Sequence, residues 1–231
     1  MSIAENLALV RHNVDLAVAR RREAPVTGPL VKVVAVTKNH SADEVREALA
    51  AGAAALGENR VQEATAKAAL LPPAEWHLIG HLQTNKVRQA VPLFTLIHSL
   101  DSEKLALEVE RVAAKAGKRQ DVLIQVNVAG EDTKSGIAPG GLTDLARLVS
   151  GLEHLRLCGL MTMAPFYEDA ELARPVFREL YGMYADLKAA ALPNTAIEWL
   201  SMGMTNDYSV AVEEGANLVR VGTAIFGPRH Y

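Results

Sequence analysis

Val31-Lys-Val-Val-Ala-Val-Thr-Lys38 is a short run of β-branched residues that ends in a lysine, with Asn39-His40-Ser41 directly after it. Valine dominates the run without strict alternation, which suits a strand buried on both faces, as in a parallel sheet. Ser41-Ala-Asp-Glu44 then reads as a capping box, so a helix starts three residues beyond the lysine. Lys38 therefore lies at the C-terminal lip of a strand, where the chemistry of α/β folds gathers. A lysine there is either a solvated end-of-strand charge or an amine placed for a purpose.

The same alternation continues outward from this stretch. Upstream, Ser2-Ile-Ala-Glu5 is a second capping box, and Ile3, Leu7, Val10, Val14 and Val18 recur at helical spacing to about Arg22. Pro25 to Pro29 then breaks the chain. Downstream, a helix over 41–51 closes at Gly52, and Ala53-Ala-Ala-Leu56 is a weak second strand leading to Gly57-Glu-Asn59. Asn59 and Gln62 frame the next helix, which stops at Pro72-Pro73. Further strands read at Trp76–Ile79, Phe94–His98, Val122–Asn127, Leu155–Met161, Ile197–Ser201 and Leu218–Thr223. Helices separate them, among them 102–116 capped by Asp101 or Ser102, 140–150, and about Asn206 to Glu214. Eight strand signals alternating with helices, with no linker between them, predict a single (β/α)8 TIM-type barrel domain over 1–231 with an extra N-terminal helix. A doubly wound open sheet is the alternative. It lacks its Gly-x-Gly-x-x-Gly at the first strand–helix turn, and rarely needs eight even units.

The chain has 231 residues, 49% of them apolar and only 5% aromatic, so Ala, Val and Leu must fill the core. A net charge of −3 with interspersed signs gives no reason to expect nucleic acid or an anionic membrane as partner. The single Cys158 rules out an internal disulfide framework and lies in an apolar strand, as a small core residue. No apolar run approaches the roughly 20 residues needed to span a bilayer. The amphipathic, charged N-terminus is not a signal peptide. These features point to a soluble, cytoplasmic protein.

A barrel brings the C-terminal ends of all its strands to one mouth. Here those ends carry Lys38, Asn59, His81, Ser99 with Asp101, Asn127, Met161–Met163, Ser201-Met-Gly-Met204 and Arg220-Val-Gly-Thr223. The set holds no paired carboxylates for glycosidase-type work and no ligand cluster dense enough for a metal. Asp101 and Asp207 read as helix caps. Barrels often bind phosphate with the loops after strands seven and eight. Ser201, Gly203, Gly222 and Thr223 supply hydroxyls and unhindered N–H groups there, although Gly203 and Gly222 could equally serve tight turns. A lysine facing a phosphate anchor across a barrel mouth is the layout for a pyridoxal 5′-phosphate Schiff base. Arg220, two residues before Gly222, points inward with it. It needs an acceptor: either the pyridine nitrogen of such a cofactor or a core carboxylate such as Glu198.

These residues, in this order, resemble the pyridoxal-phosphate homeostasis proteins (the YggS/PROSC type) over nearly the whole chain. The matching motifs are Ala35-Val-Thr-Lys38, Gly57-Glu-Asn59 with Val61-Gln-Glu63, and Trp76-His-Leu-Ile-Gly-His-Leu-Gln-Thr-Asn-Lys86. Lys134-Ser-Gly136, Gly159-Leu-Met161, Leu200-Ser-Met-Gly-Met204 and Arg220-Val-Gly-Thr-Ala-Ile-Phe-Gly227 continue the match. The resemblance implies a barrel like the N-terminal domain of alanine racemase, with Lys38 as the aldimine lysine. It also implies Arg220 near the pyridine nitrogen, and Ser201, Met202, Gly222 and Thr223 around the phosphate. Asn59 and His81 line the mouth in that scheme, or else order their loops. Lys134 is a candidate second contact or a solvated loop lysine. One departure stands out: some members carry a further lysine just after the aldimine lysine, where this chain has Asn39-His40.

Two functions follow. One is a non-catalytic carrier that holds pyridoxal phosphate, limits the free aldehyde and delivers it to apo-enzymes. The other is a small racemase or similar amino-acid enzyme. A racemase of this fold takes a second base, a tyrosine, from an added C-terminal β-domain, for which no residues remain after strand eight. His81 or Tyr167 could still serve as a base. An arginine at the pyridine nitrogen also leaves the ring a poorer electron sink. The carrier is the expectation, as a monomer, since no large unused apolar face is evident.

Overall fold

The computed structural model describes residues 1–21, 26–131 and 135–228. Helix α1 (Ile3–Ala19) starts at the Ser2 capping box. Its Leu7, Val10, Val14 and Ala17 are buried against the two helices near the C-terminus. Burying one such valine or leucine stabilises the fold by about 1.5–3 kcal/mol. The helix is then tied down beyond its end: the Arg21 guanidinium donates to the carbonyls of Val212, Gly28 and Ala216.

Eight units follow: β1 (Lys32–Val36) and α2 (Ala42–Ala50), β2 (Ala55–Glu58) and α3 (Val61–Ala68), β3 (Trp76–Leu78) and α4 (Val87–Leu93), β4 (Leu96–Leu100) and α5 (Glu103–Lys115). The second half comprises β5 (Gln120–Gln125) and α6 (Leu142–Ser150), β6 (Leu155–Met161) and α7 (Arg174–Ala189), β7 (Thr195–Ser201) and α8 (Tyr208–Glu213), then β8 (Leu218–Val221) and α9 (Thr223–Phe226). All neighbouring strands pair in parallel, and β8 closes on β1 through Lys32–Leu218 to Ala35–Val221. The expected barrel with its N-terminal helix is the fold.

Period-two alternation divides its core into two layers. Val34, Ala55, Leu96, Leu123, Cys158, Met161 and Leu218 pack together inside the barrel. Val33, Ala35, Leu56, Leu78, Val219 and Val221 face outward into the larger layer between strands and helices, with Phe177 and Tyr184 of α7. Cys158 is buried in the inner layer, as its apolar setting requires. Next to it, Gly159 takes φ +146°, and a Cβ there would stand 1.8 Å from the Trp199 carbonyl oxygen, so only glycine permits this close pairing of β6 and β7.

Several element ends shift from the sequence reading, and three ends are settled by particular bonds or their absence. Phe94 belongs to the end of α4, its N–H donating to Ala90 O, so the fourth strand begins at Leu96. Ser102, and not Asp101, caps α5 with its hydroxyl. At α3 the N-cap position is Arg60, and no side chain bonds there.

Candidate functional site

Lys38 stands two residues past β1, and alternation fixes its direction. Val34 faces the barrel interior and Val36 lines its upper end, so Lys38 continues that face into the mouth. The turn carrying it is braced from behind. Thr37 N–H donates to Gly57 O at 2.9 Å, and Thr37 Oγ1 donates to Glu58 Oε1 at 2.6 Å. The buried Lys67 ammonium donates to Thr37 O (2.5 Å), Glu58 Oε1 (2.7 Å) and Glu63 Oε1 (2.8 Å). Asn39 N–H completes the cluster by donating to Glu63 Oε1 at 2.6 Å, with Asn39 in the left-handed region at φ 63°. Burial raises the Glu58 carboxyl despite its bonds from Lys67 and Thr37. Burial alone would also raise Glu63, but Lys67 and the Asn39 N–H hold it below the usual range. Thus α3 pins both residues flanking Lys38.

Arg220 reaches the same space from β8. Its Nη1 donates to Ser201 Oγ at 2.7 Å and its Nη2 to Thr162 O at 2.9 Å. Burial pushes its guanidinium down to about 10, opposed by the negative charge of Asp207, so it remains a cation at neutral pH. No core carboxylate bonds it among the described residues; in particular, Glu198 stands exposed on β7. Both Lys38 and Arg220 line one cavity of about 650 Å³ at the mouth, together with Asn59, His81, Gly222 and Thr223. That is the size of an ordinary small-molecule site.

Ser201 and Met202, which the resemblance sets around the phosphate, have both side chains buried. Neither lines the cavity. Ser201 points into the barrel interior, fully buried, where its hydroxyl is engaged by Arg220 and by His98 Nδ1 at 3.0 Å. Met202, as the next residue, turns the other way and is buried in the layer outside the barrel. Gly203 sits at φ +91° where a Cβ would come within 2.6 Å of the Ala211 Cβ, so it serves the close seating of α8. Asp207 occupies the N-cap position of α8 without capping it. Its carboxylate instead accepts from Met204 N–H at 2.6 Å.

His81 is half exposed, with Nδ1 3.5 Å from the Asp101 carboxylate. Lys134 lies outside the described residues. The fifth strand ends at Gln125, which lines the cavity, whereas Asn127 orders its own loop by donating to Glu131 O. Thr205, Asn206, Met163 and Phe166 also line the site. The polar pair Thr205-Asn206 in the loop after strand seven was a readable signal for the first two. Gly222 N–H donates to Thr205 Oγ1 at 3.3 Å, which ties the loops after strands seven and eight together. Among the described residues no cluster could hold a metal ion, and no helix is long and apolar enough to cross a membrane.

Comparison with known proteins agrees with this fold. The family described as alanine racemase, N-terminal domain, matches residues 6–230. A pyridoxal phosphate homeostasis protein of Aquifex aeolicus is 40% identical over 233 residues, covering all of both chains. The protein of that name from Homo sapiens is 38% identical over 97% of this chain and 86% of its own. The solved structure of PipY from Synechococcus elongatus with PLP bound superimposes with a TM-score of 0.83 at 38% identity, covering 98% of this chain and 100% of that one. The chain belongs to the alanine racemase N-terminal domain family and, within it, to the pyridoxal phosphate homeostasis proteins.

Proposed function

We propose that this chain binds pyridoxal 5′-phosphate at the barrel mouth, held covalently by Lys38 as an aldimine. We further propose that it serves intracellular vitamin B6 homeostasis by buffering the cofactor and delivering it to apo-enzymes. The observation that carries this reading is the convergence of Lys38, Arg220 and the Gly222-Thr223 turn on a single cavity. The donor set fits the group: an amine for an aldehyde, a buried guanidinium for a ring nitrogen, and a glycine with hydroxyls for a phosphate. The cofactor, when bound, would supply the electrophilic carbon and a ring able to accept electron density. The protein's part is to hold the amine in register through Lys67 and Glu63, and to present Arg220 as a cation. PipY, with PLP bound, is the structural counterpart.

A non-catalytic role is supported by what surrounds the cavity. Its titratable lining groups among the described residues are Lys38, His81, Asp207 and Arg220. Tyr167, the alternative base, is not among them; its carbonyl accepts from Asn206 Nδ2 and its ring packs on the outer layer. His81 leans toward Asp101 at the rim, and Asp207 is committed to the Met204 N–H. A guanidinium at the ring nitrogen disfavours its protonation and weakens the electron sink. The racemase reading is tested by α-proton exchange of L-amino acids in deuterated water. The carrier should show none at enzyme-like rates, whereas turnover of about 1 per second or faster would establish an enzyme. We read the carrier as a monomeric, cytoplasmic, single-domain protein that binds neither nucleic acid nor membrane.

A further inference from the structure

A chain of polar side chains threads the barrel interior beneath the mouth. At the opposite rim, Glu75 Oε1 accepts from Lys32 Nζ and is bonded to His77 Nε2, both at 2.8 Å. His77 Nδ1 meets His98 Nε2 at 3.0 Å, and His98 Nδ1 meets Ser201 Oγ at 3.0 Å. Ser201 Oγ in turn receives Arg220 Nη1 at 2.7 Å. His77, His98, Ser201 and Arg220 are all buried, while Glu75 and Lys32 are partly exposed. The chain therefore runs from solvent at the strands' N-terminal rim to the cavity at their C-terminal rim, across β3, β4, β7 and β8.

The direction of every bond follows from its ends. An ionised carboxylate only accepts, so His77 donates from Nε2. A neutral His77 then has a bare Nδ1, which obliges His98 to donate from Nε2 and leaves His98 Nδ1 bare in turn. Ser201 must donate to that nitrogen, and its lone pairs take the Arg220 proton. Burial holds both imidazoles neutral, and lowers His98 well below the usual histidine range. The hydrogen bond from His77, with Lys32 beside it, pulls the Glu75 carboxyl down to about 2, despite partial burial. The charged and titratable groups acting on the chain are Lys32 from β1, Glu75 before β3, Arg220 from β8 and Asp207 before α8. A proton added at His77 would reverse the two bonds above it, and one added at His98 would reverse the bond to Ser201; either leaves Ser201 to accept from both His98 and Arg220.

We infer that Glu75, His77, His98 and Ser201 form a one-directional hydrogen-bond relay that positions Arg220 and couples its charge to the far rim of the barrel. They are positioning residues, acting on the cavity only through Arg220. The coupling to a bound ring rests on the pyridoxal-phosphate reading above; the direction of the relay does not.

Two measurements separate these. The first is nitrogen-15 NMR of the wild-type protein without added cofactor. It should show His77 and His98 as neutral Nε2–H tautomers from about pH 6 to 8. An Nδ1–H tautomer at either position, or an imidazolium at neutral pH, would overturn the relay whatever the protein binds. The second is the pH profile of the visible band after loading with pyridoxal phosphate, in wild type, Glu75→Gln and His98→Phe. Glu75→Gln removes a charge at the rim, far from the cavity, and should shift the midpoint by about half a pH unit or more. His98→Phe, which strands the Ser201 hydroxyl, should shift it further. Unchanged midpoints in variants that still load would overturn the coupling and leave the cofactor reading intact. A wild type that never loads would remove the cofactor reading, with the NMR result still deciding the relay.

Discussion

Lys38→Ala is expected to abolish the visible absorbance that the proposed aldimine would give the wild-type protein with pyridoxal phosphate. Lys38 is the one lysine among the described residues lining the cavity, and a covalent bond to an aldehyde requires an amine in reach. The variant leaves Arg220, Gly222 and Thr223 in place, so it should retain weak, non-covalent binding with the spectrum of the free aldehyde. The loss of the band should thus be complete, with only partial loss of binding. Circular dichroism should be unchanged, because Lys38 lies in a turn beyond β1 and is only partly buried. A full-intensity band in Lys38→Ala would place the covalent link on another amine.

Lys67→Met should be the most destabilising single change near the site. Lys67 is buried and bonds Glu58, Glu63 and the Thr37 carbonyl at once. Removing its ammonium strands the Glu58 carboxylate in the layer between β2 and α3. Breaking a buried pair from one side typically costs about 3–5 kcal/mol, measurable by urea unfolding. The cost has a pH signature. Burial already raises Glu58, and loss of the Lys67 bond removes the main group opposing that shift. A carboxyl raised in the folded state contributes stability below its unfolded value of 4.5, lost as pH rises through the folded value. The penalty of Lys67→Met should therefore be largest at neutral pH and shrink as pH falls toward 5. Adding Glu58→Gln should recover much of it at pH 7. A penalty below about 1 kcal/mol, flat with pH, would show that the pair contributes little.

The barrel was legible because its evidence is local and repeated. Each strand from Val31 to Thr223 announces itself by β-branched or apolar runs, and each helix by caps or glycine stops. The direction of Lys38 was legible too, since Val34, Val36 and Lys38 share one face of a strand. That same alternation separates two residues that the sequence reading grouped. Ser201 and Met202 were taken together as mouth residues, yet adjacent strand residues face opposite layers: Ser201 turns into the barrel and Met202 out of it. The histidine chain was invisible for a different reason. His77 and His98 lie 21 positions apart, and His98 and Ser201 lie 103 apart. No motif spans those gaps, and only the closed order of strands brings the three side chains together. Lys67 was hidden in the same way: as a helix residue in Ala64-Thr-Ala-Lys67 it reads as solvated, and only the packing of α3 on β2 shows that it is buried.

The central claim, that Lys38 is the covalent holder of the cofactor, is tested most directly by trapping. Purified wild-type protein is incubated with pyridoxal phosphate at about one equivalent, reduced with borohydride and mapped by peptide mass spectrometry. The account predicts a single stoichiometric adduct on Lys38. No adduct, or one spread over surface lysines with Lys38 unmodified, would contradict it.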